Sequence, residues 1–146
     1  MIFAKCIRDE QIATSKEDFI NRQEEFKEGD HHSYYPGETT RSSNGQDNLY
    51  CVPLNIIYDC LKYGPNIAIV EGNYDTTGSY CSGTPVKQQI ASSWQKTIKI
   101  MKADCKETID YIFNEVKDPF LISAGYLPKL SKNNQEYFKS KKYNVK

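Results

Sequence analysis

The chain of 146 residues lacks most of the sequence features that identify membrane, secreted or metal-binding proteins. It has no apolar run approaching the roughly 20 residues that a membrane-spanning helix needs, and no apolar region follows Met1 as in a secretory signal. Its five cysteines form no closely spaced pair of the kind found in zinc knuckles and redox motifs. We therefore expect a cytoplasmic protein with free thiols, no metal and no membrane partner.

Phosphate-binding motifs are absent as well. The glycine-containing stretch 72–85 has neither the GxGxxG pattern of dinucleotide-binding folds nor the GxxxxGKS pattern of P-loops. No motif names a cofactor, so the sequence leaves the cofactor unknown. It also leaves open whether the chain is an enzyme, because no motif specifies a reaction.

Charge is balanced overall but is unevenly distributed. The 19 basic and 19 acidic residues cancel, whereas residues 8–30 carry eight acids and four bases, and residues 129–146 carry six lysines and one glutamate. A basic C-terminal tail, about residues 139–146, could contact phosphates, so nucleic-acid binding through this tail is one alternative. Nucleic acid is the disfavoured partner, because the domain as a whole is not basic.

Residues 49–72 are the most informative stretch for the fold. Pro53 suits the first position of a helix, and Gly64 suits a left-handed cap at its end. Apolar residues spaced by three and four positions predict a core-facing helix over 53–63: Leu54, Ile57, Tyr58 and Leu61. The continuous apolar run 67–70 then predicts a strand buried on both faces.

Further segments complete the predicted architecture. Residues 2–7 and 96–101 are typical of strands, and Asp104 with Glu107 predicts a capping box for an amphipathic helix over 104–117. We expect a single α+β domain over residues 1–146, with a small mixed or antiparallel sheet packed by two or three helices.

The predicted core consists of the apolar residues that the sheet and its helices share: Phe3, Leu54, Ile57, Leu61, Ile67, Ile69, Ile98, Ile100, Ile109, Ile112, Phe113 and Val116. The apolar segment 120–127 is expected to pack on the domain as well.

The two polar loops, 29–48 and 72–85, hold most of the candidate chemistry. A loop of this length inside a compact domain is typically functional or mobile. Turn signals within the first loop predict a hairpin with Tyr34 and Tyr35 on one arm. Cys81, in the second loop, is expected to be a passive thiol, because no base stands near it in sequence.

His31 and His32 are the only histidines of the chain, and both lie in the first loop. They could act as acid and base or bind a metal. Side chains of adjacent residues diverge, however, so a solvated turn is the favoured interpretation and no metal site is predicted.

A second group of candidates in the first loop would bind a ligand. Arg41 and Ser42 could hold a phosphate or a carboxylate, and Tyr34 and Tyr35 could stack on a base or a nicotinamide ring. Glu71 follows a buried strand, where active-site carboxylates are common.

These residues suggest one enzymatic alternative, an NAD- or nucleotide-using enzyme of the ADP-ribosyltransferase type. It would place the catalytic candidates His31 and Glu71 in one cleft with Tyr34 and Arg41. It therefore requires that the imidazole and the Glu71 carboxylate border the same cavity.

One family resemblance covers about residues 49–102. Four features resemble small uncharacterised domains of phage and giant-virus genomes: residues 50–54 (Tyr-Cys-Val-Pro-Leu), then Tyr58 and Tyr63, then residues 69–72 (Ile-Val-Glu-Gly), and Trp94 before residues 98–100 (Ile-Lys-Ile). The first loop has no counterpart in that pattern. The resemblance implies no activity and no catalytic residues.

The favoured prediction is a small intracellular accessory binding protein that a phage or a virus encodes. It would act on a host protein or on a small nucleotide-like ligand through the two loops, because loops on a rigid scaffold commonly carry binding sites.

Overall fold

The protein is described here by a computed structural model, which covers residues 2–27, 29–43, 45–72 and 89–143. Cys81 and residues 73–85 of the second polar loop lie outside the described residues. The strands are β1 (Phe3–Ile7), β2 (Thr39–Arg41), β3 (Leu49–Pro53), β4 (Asn66–Gly72), β5 (Ile90–Ser92) and β6 (Trp94–Lys102). The α-helices are α1 (Lys16–Glu24), α2 (Lys106–Val116) and α3 (Lys132–Tyr143), and 3₁₀ helices lie at Asp9–Gln11, Leu54–Tyr63, Pro119–Leu121 and Leu127–Lys129.

These elements form a single α+β domain around one antiparallel sheet. The strand order is β2-β6-β4-β1-β3-β5, and each neighbouring pair is antiparallel. The predicted strands at 2–7, 66–71 and 96–101 are confirmed, and they lie side by side as β1, β4 and β6. Residues 67–70 of β4 are all buried, as their continuous apolar sequence predicted.

One face of the sheet is covered by helices. The 3₁₀ helix Leu54–Tyr63, α2 and α3 pack there over Ala4 and Cys6 of β1 and over Ile67 and Ile69 of β4. Tyr58 and Phe138 meet edge to face at the centre of this core, with ring centroids 5.0 Å apart. The predicted packing of the helices at 53–63 and 104–117 against the sheet is confirmed.

The sheet curls strongly, so that its two ends approach each other. Only Ser93 separates β5 from β6 in the chain, yet β4, β1 and β3 lie between them in the sheet. The side chain of Gln95 on β6 crosses the inside of this curl and donates a hydrogen bond to the carbonyl oxygen of Tyr50 on β3. The concave face thus becomes a second interior.

This second interior is lined by a smaller apolar cluster. Ile7, Cys51 and Val70 contribute to it from the strands, and Tyr34 contributes from the first loop. Backbone hydrogen bonds of 2.7 and 3.0 Å join residue 34 to residues 11 and 13. Tyr34 therefore belongs to the core and pairs with the segment after β1, so the predicted hairpin with Tyr34 and Tyr35 on one arm is wrong.

The helix predicted over 53–63 forms a 3₁₀ helix with non-helical dihedrals at Ile56, and Pro53 is the last residue of β3. The predicted left-handed cap at Gly64 is wrong, because its backbone is extended at φ 160°. Glycine is required there by close contact instead. A Cβ atom on Gly64 would lie 2.2 Å from the carbonyl carbon and oxygen of Ile7.

The predicted core differs from the observed core at Ile98, which is 42% exposed. The register between β4 and β6 shifts between Ile69 and Val70, and the extra residue in β6 turns its side chain outward. Phe120 and Leu121 are also exposed, at 77% and 59%, so only part of the apolar segment 120–127 packs.

Asp104 does not cap α2 as predicted, since Cys105 is the N-cap residue and its side chain makes no capping hydrogen bond to the backbone of the first turn. The Asp104 carboxylate instead accepts hydrogen bonds from the backbone and hydroxyl of Ser131 and from Asn134. It thereby ties the start of α2 to the start of α3. Within the described parts of the chain, no helix is long and apolar enough to span a membrane.

Candidate functional site

The principal cavity lies where β1 and β3 separate. The two strands pair only at Phe3 with Pro53 and at Ala4 with Val52. Beyond these pairs a cavity of about 420 Å³ opens between them, within the range typical of small-ligand sites. We call it the crevice, and its lining residues are Ala4, Lys5, Cys6, Arg8, Gln11, His31, Tyr50, Cys51, Val52, Cys60, Tyr63 and Gln89.

The crevice is lined by basic groups and by no carboxylate among the described residues. Lys5 comes from β1, Arg8 follows the same strand, and His31 comes from the first loop. Among the described residues Arg8 forms an ion pair with Glu10, at 3.8 Å, but both side chains are more than half exposed. Such an exposed pair contributes little and leaves the guanidinium free to reorient. The chemistry of the lining therefore favours an anion.

Lys5 is held by neutral partners. Its ammonium donates to the hydroxyl of Tyr34 and, over 3.0 Å, to Oε1 of Gln95. The ammonium nitrogen also lies 4.4 Å from the centroid of the Tyr34 ring. No described carboxylate forms an ion pair with Lys5, so hydrogen bonds and the aromatic ring stabilise its charge in place of an acidic partner.

Burial without an acidic partner lowers the pKa of Lys5. Desolvation lowers the pKa of Lys5 from 10.5 to about 8, and the neighbouring Cys51 opposes the shift. Desolvation also raises the pKa of the Tyr34 phenol above its usual value. Near neutral pH, Lys5 thus carries a positive charge and Tyr34 is neutral.

Three thiols border the same cavity, those of Cys6, Cys51 and Cys60. Burial raises the pKa of Cys60 to about 12, and it raises the pKa of Cys6 as well. The thiol of Cys6 donates to the Ile57 carbonyl, at a distance of 3.7 Å. Within the described residues no group of three His, Cys, Asp or Glu side chains is arranged to hold a metal ion. The thiols of Cys6 and Cys60 are therefore protonated near neutral pH and poorly nucleophilic.

Two partly exposed aromatic rings complete the crevice. Tyr50 on β3 is 39% exposed, and Tyr63 at the end of the 3₁₀ helix is 37% exposed. Tyr50 is the residue whose carbonyl accepts from Gln95, so the curl of the sheet fixes this side of the crevice. Aromatic faces beside cationic groups can accommodate a planar ring that carries a negative charge.

The two histidines of the first loop lie in different surroundings. His31 is exposed and lines the crevice. His32 stacks on Phe26, with ring centroids 4.6 Å apart, and burial lowers its pKa. The divergence expected of adjacent side chains is therefore observed.

The remaining ligand-binding candidates of the first loop do not reach the crevice. Tyr34 is 1% exposed and supports Lys5 from inside the domain. Arg41 lies in β2 and pairs with Trp94 at the edge of the sheet. Ser42 follows Arg41, where its backbone donates to Ser93, and Tyr35 does not line the crevice. The candidates predicted as one group are thus dispersed.

The catalytic candidates are also separated. His31 lines the crevice near the Ile7 end of β1, whereas Glu71 lines another cavity together with Ile2 and Tyr111. Glu71 belongs to the far end of the β1–β4 ladder, because Ile7 pairs with the first residue of β4. The enzymatic alternative required both residues in one cavity, and the described structure does not meet this requirement.

The sequence patterns did not identify Lys5, Arg8, Tyr50 or Tyr63 as site residues. One feature of the sequence could have identified Lys5. It alternates with Phe3 and Ile7, so a charged residue shares a face of the strand with two apolar residues. Comparison with family models, curated proteins and solved structures found no match to this chain. The resemblance of residues 49–102 to phage and giant-virus domains stays a prediction.

Proposed function

We propose that the chain is a non-enzymatic binding protein that holds a small, nucleotide-like anionic ligand in the crevice between β1 and β3. The observation that carries the proposal is the lining of the crevice, where Lys5, Arg8 and His31 gather without a described carboxylate. An anionic group would lie against Arg8 and His31, and a planar ring would lie against Tyr50 or Tyr63.

The interactions of Lys5 support binding in preference to catalysis. Its ammonium is held by Tyr34 and Gln95, which are both buried, so it provides a fixed positive field. The thiols of Cys6 and Cys60 have raised pKa values and remain protonated near neutral pH. Neither thiol is thereby activated for attack on a ligand.

Isothermal titration calorimetry with three probes tests the proposal: adenosine 5′-monophosphate, adenosine and inorganic phosphate. We expect the monophosphate to bind more tightly than either part, because only it offers both the charge and the ring. Arg8→Gln should weaken its binding about tenfold, the loss expected for a charge-assisted contact.

Arg41→Gln is the matched control, since it removes the same charge from an exposed position on β2. We expect it to bind the monophosphate as the unmodified chain does. Equal losses in the Arg8 and Arg41 variants, or no binding of any probe, would contradict the proposal.

A further inference from the structure

A second, smaller cavity adjoins the crevice at Arg8 and Tyr63, which line both. Its volume is about 220 Å³, below the roughly 300 Å³ at which small-ligand sites begin. By itself it is too small for a drug-sized ligand. It shares these two lining residues with the crevice, and we call the two adjoining cavities together the basic groove.

The smaller cavity repeats the charge pattern of the crevice. Lys62 and Lys129 join Arg8 in its lining. Its one described acid is Asp104, whose carboxylate already accepts hydrogen bonds from Ser131 and Asn134. Positive charge thus continues along the basic groove and exceeds the negative charge of its lining.

Exposed tyrosines concentrate on the same groove. Four tyrosines among the described residues are exposed, and Tyr143, at 62%, lies away from the groove on α3. Tyr50 and Tyr63 line the groove. The Lys62 ammonium lies 5.1 Å from the ring centroid of Tyr63 and 5.7 Å from that of Tyr126. Two of the four exposed tyrosines thus line the basic groove, and Tyr63 is shared by its two cavities.

We propose that the basic groove binds two consecutive nucleotides of a single-stranded nucleic acid, one held in the crevice and the next lying partly exposed over the smaller cavity. Single-strand sites combine a cationic groove for the phosphates with aromatic faces for the bases. The inference rests on the proposed function, since the first nucleotide occupies the crevice. It differs from binding through the C-terminal lysines, because the contacts come from Arg8, Lys62 and Lys129.

The test measures the affinity of 5′-phosphorylated thymidylate and uridylate chains of one to four nucleotides by calorimetry. The two series distinguish a DNA source from an RNA source of the same chemistry. We expect a gain of about tenfold from one nucleotide to two, the effect of one added stacked base. Further nucleotides should add little, because the groove has two cavities.

Two double variants test whether the gain in affinity from the second nucleotide comes from the basic groove. In the Lys62→Gln, Lys129→Gln chain, the ratio of dinucleotide to mononucleotide affinity should fall close to one. The control is the Lys132→Gln, Lys139→Gln chain, which removes two exposed lysines of α3 and should keep the ratio of the unmodified protein.

The outcomes separate this inference from the proposed function. Binding of the mononucleotide with no gain for the dinucleotide overturns the two-nucleotide groove alone. The two-nucleotide groove is also overturned if the gain in affinity for the dinucleotide persists in the Lys62→Gln, Lys129→Gln chain. The same holds if the Lys132→Gln, Lys139→Gln chain loses that gain to the same extent. A chain that binds neither probe overturns both proposals.

Discussion

The side-chain amide of Gln95 on β6 donates a hydrogen bond of 3.1 Å to the carbonyl oxygen of Tyr50 on β3, although β4 and β1 lie between these strands in the sheet. The oxygen of the same amide accepts from Lys5 on β1. One fully buried side chain therefore joins three strands across the concave face. It holds the curl that positions Tyr50 at the crevice and fixes the ammonium of Lys5.

Replacing Gln95 with leucine should lower the free energy of unfolding by about 2 kcal/mol, because a buried ammonium and a carbonyl oxygen both lose a partner. Urea denaturation measures this loss. Gln23→Leu is the control, since its amide makes one long bond of 3.4 Å to Thr39 and should change stability by less than about 0.5 kcal/mol. Equal stability of the two variants would show that the cross-sheet bonds do not hold the curl.

Lys5 should make stability depend on pH in the alkaline range. Its pKa is about 8 in the folded chain and 10.5 in the unfolded reference, so between these values the unfolded chain binds more protons. Stability due to Lys5 therefore rises as the pH increases through this window, by about 3 kcal/mol over its full width. Below about pH 8 both states are protonated, and the contribution is constant.

Comparison with Lys5→Met isolates this effect from tyrosine and cysteine titration. The free energy of unfolding of the unmodified chain, minus that of the variant, should increase between pH 7.5 and 9.5 when measured by urea denaturation at about half-unit steps. A difference that stays constant or decreases would show that the folded environment does not depress the lysine pKa.

Gly64→Ala should destabilise the domain by about 2 kcal/mol, because the added methyl group meets the backbone of Ile7 at 2.2 Å. Gly45→Ala is the comparison, since that glycine has φ +72° but open space around it. Its cost is the strain of a left-handed residue, about 1 kcal/mol. Chemical denaturation of both variants should rank Gly64→Ala as more damaging, and the reverse order would refute the close contact.

The thiols of the crevice should react slowly with iodoacetamide. At pH 7.5 we expect Cys105, which is partly exposed, to be modified at least about tenfold faster than Cys60, whose pKa is about 12. Modification of Cys60 should accelerate about tenfold per pH unit, because its thiolate fraction rises in proportion. Peptide mass spectrometry measures both rates. Rapid labelling of Cys60 at pH 7.5 would contradict the burial that raises its pKa.

Local patterns in the sequence were sufficient for much of the scaffold. The apolar run at 67–70 and the alternation at 96–101 predicted β4 and β6, because side-chain period reflects the local backbone and its burial. The Gly64 position was identified as special, but for the wrong reason. A cap is encoded by neighbours in sequence, whereas contact with Ile7 depends on how distant segments pack.

The crevice could not be predicted in the same way, because it results from long-range pairing. The crevice forms because the pairing of β1 with β3 ends at Ala4 and Val52. No local sequence pattern specifies where the pairing of two strands ends. The sequence patterns instead favoured the polar loop residues, and of those that the structure describes only His31 lines the crevice. Tyr34 was predicted to bind a ligand, but its side chain is buried and its hydroxyl accepts a hydrogen bond from Lys5.

The most direct test of the binding site is an amide chemical-shift titration of the ¹⁵N-labelled chain with adenosine 5′-monophosphate. The account predicts saturable shifts for the amides of Lys5, Arg8, Tyr50 and Tyr63, with no comparable shifts along α3. Shifts confined to α3, or no saturable shift at any amide of the crevice, would contradict it.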